Sequence, residues 1–284
     1  MLGYALCREA VSRGHIVAGV GRENRHAMPG VAFHPLDLTE PRKLDRLLDE
    51  FQPELAVHAA AIINKQLCEQ SPQMAREVHV TASEIIARHL QKSGGRLVHI
   101  STEAVYGHQT EARRETMSCH PRGVYATTKL AGEQAVLGAH PAALVLRVTP
   151  VGCTPSLTGP TLAEWLFRSF RNHEAVNGFV DAIFSPVTSF SLAAFIFSEA
   201  AASLSGALNM GCEPALSKYD FAQGLAELLF PGADLVKKAF APEGMRGSAA
   251  MDSSKLGARA QWHPPSPENV LDELAREFKA QVYL

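Results

Sequence analysis

A tyrosine and a lysine that could transfer a proton stand four residues apart, at Tyr125 and Lys129. On most helices a pair at this spacing is only a solvated contact. Here a loop with proline and glycine precedes the tyrosine, and Thr102 ends an apolar strand 23 residues earlier. A phenol has a pKa of about 10, and an ammonium one helical turn away would lower that pKa. We therefore predict that Tyr125 exchanges a proton with the oxygen of a carbonyl that receives hydride, while Thr102 holds that oxygen.

Strands and helices alternate around these residues. Apolar runs of strand length are HIVAGVGR, ELAVHAA, RLVHIST and AALVLRV. Helical patterns between them are PRKLDRLLDEF, PQMAREVHVTASEIIARHLQKSGG and YATTKLAGEQAVLGA. The second of these helices should stop at the pair Gly94 and Gly95. The alternation predicts an α/β fold with a doubly wound parallel sheet, covered by helices on both faces.

The first 22 residues read as the first helix and second strand of a nucleotide-binding βαβ unit. Such a unit opens with an apolar strand and a glycine loop, whose N–H groups bind a pyrophosphate at the helix N-terminus. Gly3 stands where the last glycine of that loop would stand. We therefore expect the strand and the earlier glycines to lie upstream of Met1; the alternative is a chain that begins with a helix. Without the strand, two strand edges would be exposed inside the sheet.

The pattern loosens after Arg147, where a Gly/Pro/Thr-rich segment leads into further helices and short strands. We place a dinucleotide-binding domain, lacking its first strand, at residues 1–150. Residues 151–284 are predicted to be a mixed region, in which a small substrate-binding lobe is interleaved with the last elements of the sheet.

Composition narrows the classes of function. A net charge of -2 and scattered basic residues give no reason to expect nucleic acid or an anionic membrane surface as a partner. No apolar stretch approaches the roughly 20 residues of a membrane span, and no secretory signal is visible. The 5 cysteines are far apart and the 12 histidines are unclustered. These patterns favour a cytoplasmic protein with reduced thiols and without a metal site.

Taken together, several stretches resemble the extended short-chain dehydrogenases, in particular the dTDP-4-dehydrorhamnose reductase branch. They are LDLTE, AVHAAAIINKQLCEQSPQMAREVHV, RLVHISTEAVYG, YATTKLAGEQAV, LVLRVTPVG, FSPV and MDSSKL. The resemblance implies a Rossmann-type sheet and an NAD(P)-dependent oxidoreductase, here a reductase of a 4-keto nucleotide sugar in dTDP-rhamnose biosynthesis. It makes Tyr125 the acid and Thr102 the group that orients the carbonyl. Lys129 would also bind the nicotinamide ribose.

The same resemblance suggests cofactor-binding residues. Asp37 should accept from the adenine amino group, with Leu38 packed beside the ring. Small side chains at a strand end should let the backbone approach the cofactor: Ala59, Ala60 and Ala61. NAD enzymes usually carry a carboxylate at the end of the second strand, where this chain has Arg22. An arginine can pair with a 2′-phosphate, so we predict NADP(H) as the cofactor. The alternative is NAD(H), in which case Arg22 would be only a solvated surface charge.

Substrate-binding residues are less well defined. Besides Thr102, the candidates in the small lobe are Trp165, Phe184, Arg246 and Lys255. Arg246 matches an Arg-Pro pair of the resembling reductases, but Gly247 replaces the proline and puts the loop conformation in doubt. Each of these side chains could instead serve packing or lie on the surface. The expected partner is a nucleotide sugar, and a homodimer is possible.

Three other functions share parts of this pattern. Nucleotide-sugar dehydratases carry Thr-Asp-Glu, whereas this chain has Thr102-Glu103-Ala104 and lacks the second carboxylate, which argues against dehydration. Nucleotide-sugar epimerases share the Thr/Tyr/Lys set and stay open. So does a non-catalytic NADP-binding regulatory subunit, because the beta subunit of methionine adenosyltransferase resembles the same branch.

Overall fold

The computed structural model describes residues 1–24, 26–108, 111–157, 159 and 161–282. The helices are α1 (Leu2–Ser12), α2 (Pro41–Phe51), α3 (Lys65–Gln70), α4 (Pro72–Arg76), α5 (Ala82–Ser93), α6 (Gly123–Ala139), α7 (Leu162–Arg171), α8 (Ser189–Ile196), α9 (Glu199–Ala202), α10 (Lys218–Leu229), α11 (Ser254–Ala260) and α12 (Pro267–Val282). The strands are β1 (Val17–Gly21), β2 (Val31–Pro35), β3 (Leu55–His58), β4 (Arg96–Thr102), β5 (Leu144–Val151), β6 (Val176–Phe179), β7 (Ala182–Phe184), β8 (Pro186–Thr188), β9 (Gly206–Met210), β10 (Leu216–Ser217), β11 (Val236–Ala239) and β12 (Gly247–Ala249).

A parallel sheet centred on β4 and β5 carries the candidate site. Its order is β3-β4-β5, and the other side of β5 pairs with β9 along its first part and with β8 along its last part. Alternate residues point to opposite faces, so Val98 and Leu146 pack in a cluster with α1 and α8, while Leu97 and Val145 pack with α2 and α5. Both faces are covered, as expected for a parallel sheet. Because parallel strands end at the same edge, Thr102 lies at the carboxyl edge, opposite Val148.

The strands β1 and β2 form a parallel pair of their own. Among the described residues, one edge of β1 and one edge of β3 have no strand partner. Val20 of β1 is 43% exposed, whereas most of β4 and β5 is buried. In the described part of the chain, β1-β2 and the sheet centred on β4 and β5 are therefore separate sheets.

One predicted helix is divided in the structure. The segment from Pro72 onward forms α4, a π-helical turn at Glu77–Thr81 and then α5, because i→i+5 bonding inserts a local bulge. Its predicted stop is confirmed, since Gly94 adopts the left-handed conformation at φ 75°. The strand β2 was absent from the sequence prediction.

Most of the second half forms a lobe with its own core. Its apolar cluster includes Phe170, Phe221 and Phe278, all fully buried, and Phe167 stacks on Phe278 with ring centroids 4.7 Å apart. Short strands line this lobe in the orders β10-β7-β12 and β11-β6, while β8 and β9 from the same half join the main sheet. No helix in the described part of the chain is long and apolar enough to cross a bilayer.

Candidate active site

Thr102 and Tyr125 meet at the carboxyl edge of the sheet. Thr102 ends β4 and is 8% exposed, and Tyr125 lies in the first turn of α6. The Thr102 hydroxyl donates to Oε2 of Glu103 over 2.7 Å and accepts from the Ala104 backbone N–H over 3.2 Å. The same hydroxyl is within hydrogen-bonding reach of the Tyr125 phenol and lowers the pKa of that phenol. Thr102 therefore lies between Glu103 and Tyr125.

Lys129 is buried one helical turn after Tyr125 on α6. It is 2% exposed, and its Nζ donates to the Ile100 carbonyl over 2.7 Å. Burial lowers the Lys129 pKa to about 8, against the opposing charge of Glu133. Nζ also lies 3.5 Å from Nε2 of His99. The side chain is therefore cationic at neutral pH and anchored to β4.

The expected lowering of the Tyr125 pKa was wrong. Burial raises the pKa of the phenol to about 12, the hydrogen bond with Thr102 opposes this rise, and the Glu103 charge adds to it. The ammonium of Lys129 turns toward the Ile100 carbonyl, and desolvation dominates. A phenol that retains its proton is suited to act as a general acid.

Three buried histidines, which the sequence pattern did not connect with the site, lie close to Lys129. His58 and His99 have ring centroids 5.3 Å apart, and His79 packs edge-on against Tyr125 at 5.8 Å. Burial, with the Lys129 charge as the next cause, lowers the pKa of all three and brings those of His58 and His79 to about 3 and about 4. The rings stay neutral and add no charge beside the ammonium.

The far side of α6 is fixed by a buried ion pair. Glu133 and Arg147 meet through Oε2 and Nη2 at 2.7 Å, and both side chains are less than one tenth exposed. Ser101 donates to the same carboxylate, and Arg147 donates to the Tyr106 hydroxyl over 2.8 Å. This network ties α6 to β4 and β5, so it holds the helix that carries Tyr125.

The predicted cofactor residues lie at the ends of α1, β1, β2 and β3. Gly3 is exposed in the first turn of α1, with no atom within 4 Å of the place a Cβ would occupy. Arg22 is exposed after β1 and near Asp37, whose pKa is lowered first by hydrogen bonds from Thr39 and also by the Arg22 charge. Leu38 is half-buried against the core. A run of small residues follows β3 directly: Ala59, Ala60 and Ala61.

Phe184, a predicted substrate residue, is 2% exposed and packs on Phe221. Its ring face is taken by Lys218, whose Nζ lies 3.5 Å from the ring centroid. Burial lowers the Lys218 pKa to about 8, and the charge of Glu103 opposes this. Lys218 therefore lies near the Thr102–Glu103 pair, although the sequence contained no signal for it beyond its place at the start of α10.

The other three predicted substrate residues are on the lobe surface. Trp165 is 44% exposed on α7, and Lys255 is exposed on α11. Arg246 donates to the Ala241 carbonyl over 2.6 Å and pairs with Asp181 at 3.4 Å, both within the lobe. The contacts described for these residues do not join them to Tyr125.

The backbone conformation of Gly247 explains why proline does not follow Arg246 in this chain. Its φ is 108°, a value that proline cannot adopt. A Cβ at Gly247 would also lie 2.9 Å from the His108 ring. The loop after Arg246 therefore has a conformation of its own.

Comparison with known proteins agrees with this geometry. The family described as RmlD substrate binding domain matches residues 1–277. A dTDP-4-dehydrorhamnose reductase of Mycobacterium tuberculosis is 28% identical over 254 residues, covering 87% of this chain and 82% of that protein. Methionine adenosyltransferase 2 subunit beta of Xenopus laevis is 32% identical over 148 residues, covering 52% of this chain and 43% of that protein.

A solved structure confirms the predicted Rossmann-type α/β fold. It is the dTDP-4-dehydrorhamnose reductase of Bacillus anthracis in complex with NADP, with a TM-score of 0.78 at 21% identity. The match covers 92% of this chain and 98% of that one. The likeness in fold and the family match over residues 1–277 lead to one conclusion: the chain belongs to the RmlD substrate binding domain family.

Proposed function

We propose that the chain is an NADPH-dependent reductase of a 4-keto nucleotide sugar, with Thr102, Tyr125 and Lys129 as its catalytic residues. The observation that carries the proposal is the placement of a protonated, half-buried Tyr125 beside Thr102 at the carboxyl edge of the sheet, with the buried Lys129 one helical turn away. Ligands of open α/β sheets bind at that edge. The reductase of Mycobacterium tuberculosis supports the choice of substrate class.

The residues present fit a dinucleotide. Open space around Gly3 leaves the N-terminus of α1 accessible to a phosphate. The exposed guanidinium of Arg22 beside Asp37 suits a 2′-phosphate, and the NADP bound by the Bacillus anthracis reductase agrees with this choice. NAD(H) is the alternative cofactor. When bound, NADPH supplies the hydride that reduces the carbonyl carbon.

The side chains then handle the proton. Tyr125 retains its proton because burial raises its pKa to about 12. The phenol donates to the developing alkoxide of the substrate, and Thr102 orients that oxygen. Lys129 is cationic below its pKa of about 8 and offsets the charge left on the phenolate. Thr102 and Lys129 are both nearly fully buried, which limits the access of water to their side chains.

We propose that the substrate lies against the small lobe. Phe184, Trp165, Arg246 and Lys255 stay candidates, and Lys218 is added because its charge is felt at Glu103. Two half-buried groups of opposite charge can bind the hydroxyls of a sugar.

Replacing Tyr125 with phenylalanine tests the mechanism. Tyr125→Phe should lower kcat by about 10²–10⁴-fold, the loss expected for a general acid, and leave NADPH affinity unchanged. Steady-state oxidation of NADPH with a dTDP-linked 4-keto sugar measures the first, and fluorescence titration measures the second. Tyr219→Phe, in the half-buried first turn of α10, is the matched control. Near-parental turnover in Tyr125→Phe would remove it from the mechanism.

A second candidate is a non-catalytic NADP-binding regulatory subunit, favoured by the Xenopus laevis relative. A parent protein that binds NADPH but oxidises none with any 4-keto sugar would support it. Conversion of one sugar epimer to another with no net consumption of NADPH would instead identify an epimerase.

A further inference from the structure

His79 is fully buried in the π-helical turn Glu77–Thr81, and both of its ring nitrogens are hydrogen-bonded. The Ile62 backbone N–H donates to Nε2 over 2.9 Å, and Nδ1 lies 2.8 Å from Oγ1 of Thr128. Because Nε2 accepts, the proton of the neutral ring must be on Nδ1, which donates to Thr128. Burial and the Lys129 charge lower the His79 pKa to about 4, so the ring is neutral at physiological pH.

The two hydrogen bonds reach different parts of the site. Ile62 directly follows the small residues after β3, and its carbonyl accepts from Sγ of Cys68 over 3.3 Å. That peptide is held on both sides. Thr128 lies between Tyr125 and Lys129 on α6, and its hydroxyl lies 2.7 Å from the Val124 carbonyl and 3.1 Å from the Tyr125 carbonyl.

His79 also touches α6 directly. Its ring meets the Tyr125 ring edge-to-face, with centroids 5.8 Å apart. A Cβ at Gly132 would lie 2.2 Å from the His79 carbonyl oxygen, so this close approach of the π turn to α6 requires glycine. The His79 side chain and backbone therefore both contact α6, the helix that carries Tyr125.

We propose that His79 is a positioning residue. Its Nδ1–H tautomer links the loop after β3, which contains the predicted cofactor residues, to α6, and so fixes the position of Tyr125 relative to that loop. The inference rests on the proposed reductase function. His79 acts through Ile62 and Tyr125 and transfers no proton to substrate.

Substitutions can separate the two links. His79→Phe removes both hydrogen bonds, Thr128→Val removes only the link to α6, and His79→Gln restores an acceptor near the position of Nε2. His79→Phe should lower kcat about 10- to 100-fold and weaken NADPH binding. Thr128→Val should lower kcat alone, with the KM of the sugar unchanged, and His79→Gln should recover NADPH affinity.

His140→Phe is the matched control. His140 is 6% exposed at the other end of α6, and its Nε2 lies 3.0 Å from the Gly95 carbonyl oxygen. If the role of His79 is purely structural, His79→Phe and His140→Phe should lower Tm by similar amounts and should have similar kcat values at temperatures below Tm. That result would overturn the proposal. A lower kcat in His79→Phe alone supports it.

A spectroscopic measurement needs no activity. Long-range ¹⁵N–¹H spectra of the imidazole rings should show His79 protonated at Nδ1 and unprotonated at Nε2 near neutral pH. An Nε2–H tautomer would overturn the proposal even in an active enzyme. If the parent oxidises no NADPH, the reductase proposal fails, while the tautomer and the NADPH affinities of His79→Phe and His79→Gln still decide the role of His79.

Discussion

The proposed preference for NADPH over NADH depends on Arg22. Its guanidinium is exposed at the end of β1, and its charge reaches the carboxylate of Asp37. Asp37 already accepts from the backbone and hydroxyl of Thr39, over 3.0 and 2.9 Å. The guanidinium of Arg22 offsets part of the negative charge of Asp37, which would otherwise repel a phosphate. This arrangement is consistent with the proposal that Arg22 binds the 2′-phosphate.

Replacing Arg22 with alanine should narrow the preference for NADPH over NADH. The expected loss is about 1–3 kcal/mol of differential binding, the scale of a charge-assisted hydrogen bond. Fluorescence titration of both cofactors measures it, with Arg42→Ala, an exposed arginine of α2, as control. Equal affinity of the parent for NADPH and NADH would contradict the assignment.

The helix α6 is held by the buried Glu133–Arg147 pair together with Ser101 and Tyr106. Arg147 also lies over the Tyr106 ring, with its central carbon 4.7 Å from the centroid. The pair raises the Arg147 pKa against the opposing effect of burial. Lys129 lies one helical turn before Glu133 on α6, so the position of the proposed catalytic lysine depends on this network.

Glu133→Leu should destabilise the fold by about 3–5 kcal/mol, because it leaves a buried guanidinium without its carboxylate. The double variant Glu133→Leu/Arg147→Met should lose less than the sum of the single variants, since neither charge is left unpaired. Urea unfolding measures both.

The exposed ion pair of Glu84 and Arg88 on α5 provides the control for that measurement. Glu84→Leu should change the free energy of unfolding by less than about 1 kcal/mol. Equal losses in Glu84→Leu and Glu133→Leu would show that the buried network does not hold α6.

The molecule as a whole carries several buried neutral histidines. His58, His79 and His99 are at most 5% exposed, and burial lowers the pKa of each below the unfolded value of about 6.5. At pH values below about 6.5 the unfolded chain binds protons that the folded chain does not. The contribution of these neutral histidines to the free energy of unfolding is therefore fully present above pH 6.5 and is lost as the pH falls below it.

Acid should therefore destabilise the protein steeply between pH 6.5 and about 4, by about 1.4 kcal/mol per pH unit for each of these histidines. Urea unfolding at successive pH values measures the slope. His58→Phe should reduce it, whereas His263→Phe, at an exposed position, should not. An unchanged slope in His58→Phe would contradict this account.

Much of the architecture followed from the order of residues along the chain. The strands β1, β3, β4 and β5, the helix α6 and its Tyr125–Lys129 spacing, and the stop at Gly94 all depend on local periodicity or on one residue's backbone preference. Such features need no knowledge of distant contacts. The family resemblance added the Rossmann-type fold, which the solved neighbour confirms.

Other features depend on residues that are far apart in the chain and meet only in the fold. His79 and Thr128 are 49 residues apart, and the charge of Glu103 acts on Lys218, which lies in the other half of the sequence. The sign of the Tyr125 pKa shift is a further example, because burial outweighs the effect of the Lys129 ammonium, which donates to the Ile100 carbonyl. Desolvation and hydrogen-bond direction are properties of the packed environment, so spacing along the chain could indicate the candidate catalytic residues but not their protonation states.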